Sequence, residues 1–177
     1  MIRKAVTFRK DESGAMLVEA ALVLPVLVII FLAMVEFSNA FAVQRRVEAV
    51  ARAAADLVAQ TSGVTSGDLV DVSRIGGHLL RPYRAEPLQL RISAITLDEN
   101  GATVVAWSYG NGLPARAVGS AFSGAPTQVM SAGAHMIVAE TSYVHTPILG
   151  SVVFGGTTFT SRAFFRPRLT ETVEYSR

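Results

Sequence analysis

The sequence predicts an α+β protein in which a long N-terminal helix, membrane-spanning in its first half and amphipathic in its second, packs on a four-stranded antiparallel sheet. Three observations carry that expectation. An almost unbroken apolar run covers residues 15–35; apolar residues then recur at three- and four-residue steps as far as Val58; and from Leu88 the pattern alternates. Periods near 3.6 and 2 mark one face of a helix and one face of a strand.

The apolar run comes first. At about 1.5 Å per residue it crosses a hydrocarbon core of roughly 30 Å. Arg3, Lys4, Arg9 and Lys10 precede it, whereas Glu36, Arg45, Arg46 and Glu48 nearly cancel beyond it. This bias predicts a cytoplasmic N-terminus and an exported C-terminal part. It also accounts for the basic character of the chain. Setting aside the leader's four basic and two acidic residues, the totals of 16 and 14 leave twelve of each sign. A neutral remainder offers no bulk attraction for polyphosphate, so no nucleic-acid partner is expected. The absence of cysteine excludes disulfides and thiolate metal sites.

One acid, Glu19, stands near the start of the run. An ionisable group inside a span is expensive, so its placement calls for a reason. A secretory signal peptide would have a shorter apolar core followed by a small-residue cleavage site. Ser38-Asn39-Ala40 offers such a site, but the run is too long and carries an acid at its front. A plain signal anchor explains length and direction and leaves Glu19 without a role. The third reading is a cut between Gly14 and Ala15 on the cytoplasmic side, with the span retained. Pro25, within the run, removes one backbone donor and predicts a kink or loosening near residues 21–24.

The stretch Gly14-Ala15-Met16-Leu17-Val18-Glu19-Ala20 resembles the processing motif of type IV prepilins. Together with Pro25, Glu36 and the C-terminal Phe165-Arg166-Pro167-Arg168, it is more closely similar to the TadE-type pseudopilins of the tight-adherence (Flp) pilus. The resemblance implies a pilin-like fold and cleavage after Gly14 by a prepilin peptidase. It also implies work alongside other pilins or pseudopilins and the inner-membrane assembly platform. Glu19 would then meet the newly made Ala15 amine of a neighbouring subunit. Opposite charges about 4 Å apart attract by up to roughly 4 kcal/mol at an effective dielectric near 20, before desolvation is subtracted. The competing fate for Glu19 is to reach the lipid headgroups.

Beyond the span, Val43, Val47, Val50, Ala54 and Val58 (or Leu57) form one stripe, with Gln44, Arg45, Glu48, Arg52 and Asp56 opposite. They predict one continuous helix over residues 15–60, ended by Thr61-Ser62-Gly63. Alanines at 49, 51, 53, 54 and 55 allow close approach of a packed neighbour. A second helix comes next, with Ser66 as cap, Asp68 in its first turn and Leu69, Val72, Ile75, Leu79 and Leu80 as its stripe. Gly76-Gly77 weakens it and Pro82 stops it.

Residues 88–94 and 103–109 read as a hairpin about Asn100-Gly101, because both central residues of that turn take positive φ. This register sets Ala94 against Trp107, Ile92 against Tyr109 and Leu97 against Val104, with the Trp107 face toward the helix. Residues 110–133, rich in Gly, Pro, Ser and Ala, read as a long exposed loop. Two further strands fall at about residues 134–144 and 158–165.

The layout is therefore a leader (1–14), a span (15–36), its amphipathic continuation (37–61) and a periplasmic α+β domain (62–177). His78, His135 and His145 are scattered, and none stands in a metal-ligand spacing. No G-x-S-x-G elbow and no phosphate loop is present, and Asp98-Glu99-Asn100 lacks the ligand spacing of a calcium loop. No enzymatic activity, metal or cofactor is expected. The expected role is a minor pilin or pseudopilin of the bacterial inner membrane, with Gly14 and Ala15 for processing and Glu19 for assembly. The alternative is an uncleaved, single-pass anchored periplasmic binding module that uses the 110–133 loop as its receptor surface.

Overall fold

In the computed structural model, residues 13–147 and 156–176 are described; the expected leader, except its last two residues, lies outside them. The elements are α1 (Ser13–Ala59), β1 (Gly63–Thr65), α2 (Ser66–Leu79), β2 (Leu88–Leu97), β3 (Thr103–Asn111), a 3-10 turn (Thr127–Val129), β4 (Met136–His145), β5 (Thr157–Phe165) and β6 (Glu174–Ser176).

The 47 residues of α1 extend about 70 Å at 1.5 Å each. The helix passes unbroken through Pro25, which has no N–H to give the Ala21 carbonyl. Its first half is open: Leu17 is 72% exposed and Phe31 64%. By length and composition this half is a candidate membrane span. The second half is the reverse, because Val43, Val47, Val50, Ala54 and Val58 are all buried. They lie on one face of an antiparallel sheet of order β3-β2-β4-β5, where α1 crosses mainly β4 and β5. Leu90, Ile92, Ala94, Ile137, Ala139 and Ala163 pack from the sheet side against Ala54 and Val58, while Val43, Val47 and Val50 cluster with Leu80 and Tyr143.

The hairpin register holds as far as the pairs Ile92 with Tyr109 and Ala94 with Trp107, then shifts at a bulge. Ile95 pairs with Val105, and Leu97 with Thr103 rather than Val104. Ala106 is thus the extra residue. A bulge of this kind reverses the facing of the residues beyond it. Trp107 stays in the core shared with α1, while Val105 joins Ile95, Met136, Val138 and Phe122 in a separate cluster.

The loop over residues 110–133 is consequently not simply exposed. Gly119 donates to the Val105 carbonyl (2.8 Å), Val105 to the Ser120 carbonyl (3.0 Å) and Phe122 to the Thr103 carbonyl (2.8 Å). The loop thereby covers the outer edge of β3 and delivers a buried Phe122 to the sheet's second face.

Two further corrections concern α2. Its N-cap is Thr65, not Ser66, within a capping box closed by Asp68, which satisfies orphan donors at both positions. Its buried face runs through Leu69, Ser73 and Gly76, leaving Ile75 and Leu79 exposed. The small residues win because they let the helices touch. A Cβ added to Gly76 would lie 3.0 Å from Val50 Cγ1.

The C-terminal residues close the structure as a strap. Arg168 donates its N–H to the Ala59 carbonyl at the end of α1 (2.8 Å), and its guanidinium bonds Asp56. The strap ends in β6, which pairs in parallel with β1. Between them Val173 is fully buried and accepts the Trp107 indole N–H at 2.7 Å.

Candidate functional site

Gly14, Ala15 and Glu19 occupy the first two turns of α1, and all are exposed. Ala15 and Glu19, four residues apart, lie one above the other on a single face. A Cβ added to Gly14 would meet nothing within 4 Å. The fold thus presents these residues together, and no described side chain forms a hydrogen bond or ion pair with Glu19. Around them stand the exposed apolar side chains of Met16, Leu17, Val18 and Leu22.

A second polar centre has no counterpart among the sequence expectations. In the middle of β4, the carboxylate of Glu140 faces away from α1 and is held by three arginines drawn from β2, the 110–133 loop and β5. One oxygen accepts from Arg116 Nη2 (2.9 Å) and Arg162 Nη2 (2.8 Å). The other accepts from Arg91 Nε (2.7 Å) and Arg116 Nε (3.1 Å). Burial alone would raise the Glu140 carboxyl. The hydrogen bonds from Arg116 and Arg91, with their charges, outweigh it and bring the group to about 2.

The same arginines fasten the loop. Arg91 donates to the Pro114 carbonyl (3.1 Å) and Arg162 to the Ser123 carbonyl (3.1 Å). The guanidinium carbons of Arg116 and Arg162 lie 4.9 and 5.0 Å from the centre of the Phe122 ring, within cation–π range. The sequence signal is a lone acid closing the apolar stretch Met136-Ile137-Val138-Ala139 of a central strand. Such an acid is buried only when charges are brought to it. Among the described residues no three His, Asp or Glu side chains form a set able to hold a metal ion.

Residues 14–56 match the family model described as TadE-like protein. The match begins at Gly14, covers the apolar run and most of the amphipathic half of α1, and ends before β1. Comparison with curated proteins and with solved structures gives no match.

Proposed function

We propose that this chain, TadE-like over residues 14–56, is a minor pilin or pseudopilin that takes part in assembling a tight-adherence (type IVc) pilus used in surface attachment. The observation that carries the reading is a Gly-x4-Glu motif, Gly14 to Glu19, at the head of an exposed apolar helix and at the start of the family match. A prepilin peptidase at the cytoplasmic side of the inner membrane cuts between Gly14 and Ala15. The basic leader is lost, the helix stays in lipid, and the sheet domain stands in the periplasm. The cut creates an amine at Ala15, and Glu19 of one subunit takes that amine from another pilin or pseudopilin. Processing and docking are thereby one switch. The role is assembly rather than catalysis.

The test is the mature N-terminus, measured by mass spectrometry in cells with and without the peptidase. A chain starting at Ala15 only when the peptidase is present is the expected result; a start at Phe41, or an uncut chain in both strains, refutes it. An uncut chain is what the anchored binding module would give. Glu19→Gln is expected to leave cleavage intact and to impair pilus assembly, and normal pili in that strain would remove Glu19 from the docking contact.

A further inference from the structure

We propose that the outer face of the sheet carries a docking groove for an acidic, extended polypeptide segment of a partner protein, seated on Arg91 and Arg162 beside Glu140. The charge inventory is the first ground. Three guanidiniums surround one carboxylate, whose two oxygens already accept four hydrogen bonds. The cluster therefore retains two uncompensated positive charges, although the chain beyond the leader is neutral as a whole. Among the described residues, no second carboxylate bonds to any of the three arginines. Arg91 uses Nε and Nη1 and Arg162 uses both terminal nitrogens, so Arg91 Nη2 and Arg162 Nε remain as donors.

The second ground is shape. A cavity of about 540 Å³ opens beside the cluster, lined by Arg91, Leu113, Ser142, Thr160 and Arg162 as well as Glu140. Arg91 Nη2 and Arg162 Nε offer donors there, and the Ser142 and Thr160 hydroxyls can donate as well as accept, a set able to receive carboxylate oxygens.

The third ground selects a polypeptide over a free anion. Thr160 and Arg162 belong to β5, an edge strand of the sheet, whose outer row of N–H and C=O groups pairs with no other strand among the described residues. An extended segment adding to that edge sends every second side chain over the outer face. Carboxylates at those positions reach Arg162 first and Arg91 behind it.

The experiment uses the full chain in nanodiscs of phosphatidylcholine, with a fluorescein-labelled octapeptide of alternating glutamate and threonine as probe. Fluorescence polarisation is expected to show binding about tenfold tighter than for the glutamine counterpart at low salt, weakening as salt rises. Thr160→Glu places a carboxylate in the groove beside Arg162 and leaves Glu140 and its three arginines in the chain. It is expected to weaken binding by about tenfold at unchanged melting temperature, whereas Leu169→Glu, at an exposed site on the strap, leaves binding as it was. Equal binding of the acidic and neutral peptides overturns the proposal, as does indifference to Thr160→Glu. Displacement of the peptide by an equal concentration of inorganic phosphate would also overturn it, marking a free-anion site.

Discussion

Glu140→Gln isolates the energetics of the arginine clamp. The substitution keeps the shape of the side chain, removes its charge and replaces one accepting oxygen with an amide that donates toward donors. In the native protein the carboxyl is brought from its ordinary 4.5 to about 2. At 1.36 kcal/mol per pH unit this corresponds to roughly 3 kcal/mol of stability at neutral pH. Partial exposure of Arg116 and Arg162, 27% and 38% at the side chain, trims the expectation to about 2–3 kcal/mol.

The pH dependence has a definite sign. A carboxyl depressed by folding contributes fully above its unfolded pKa near 4.5, and the contribution drains away as pH falls through the folded value of about 2. Wild type should therefore exceed Glu140→Gln by about 2–3 kcal/mol at pH 7 and by only about 1 kcal/mol at pH 3. Trp107 is the sole tryptophan and is buried where the strap meets the core. Its fluorescence during urea unfolding in detergent micelles reports the difference. A gap below about 0.5 kcal/mol at pH 7, or one that does not change with pH, would refute the view that the clamp stabilises the fold.

Two further substitutions test close approaches. Gly76→Leu is expected to cost about 1–3 kcal/mol in the same urea assay, because its side chain must displace Val50 from the contact between α1 and α2; an unchanged midpoint would show that the helices separate freely. At Gly110 an added Cβ would fall 2.1 Å from the Leu113 carbonyl oxygen and 2.7 Å from the Ala115 nitrogen, both backbone atoms. Gly110→Ala should lift the start of the loop off the sheet and accelerate amide exchange at Gly119 and Phe122, and protection equal to wild type there would contradict that coupling.

The features legible in the sequence are local and periodic. The apolar run and the stripe from Val43 to Val58 are regular over many turns, so the expected α1 differs from the observed helix by two residues at its start and one at its end. The alternation of residues 88–94 and the Asn100-Gly101 signal locate the hairpin, but not its turn. Of that pair Gly101 alone takes positive φ, and the loop is one residue longer than expected. Ala94 meets Trp107 and Ile92 meets Tyr109 only because the bulge offsets that extra residue. The bulge at Ala106 is hidden, because one extra residue among Val104, Val105 and Ala106 leaves no mark in composition. The face of α2 is obscured for a different reason. Apolar periodicity favours Ile75 and Leu79, but close packing on Val50 selects Ser73 and Gly76. The strap and the Glu140 clamp depend on contacts between residues far apart in the chain, such as Arg91 and Glu140. Periodicity carries no information about those. The Gly14 to Glu19 motif, by contrast, is contiguous and fully visible, and the fold neither adds to it nor covers it.

The two halves of α1 link the proposed docking to the position of the sheet. Val43 is the first residue of the helix to be fully buried in the domain, eight positions beyond Val35 in the sequence, or about 12 Å along the helix. Glu19 lies within the same continuous helix, with only Pro25 as a break in its hydrogen-bond ladder between the two points. In the proposed assembly, a stagger fixed where Glu19 meets a neighbouring Ala15 would therefore be transmitted to the sheet, and a slip of one turn would move the outer-face arginines by about 5.4 Å relative to the neighbour. That exceeds the reach of a hydrogen bond. In the proposed assembly, pairing at the membrane would decide which surfaces of adjoining domains face one another, and a substitution that leaves the sheet untouched would still misplace its contacts.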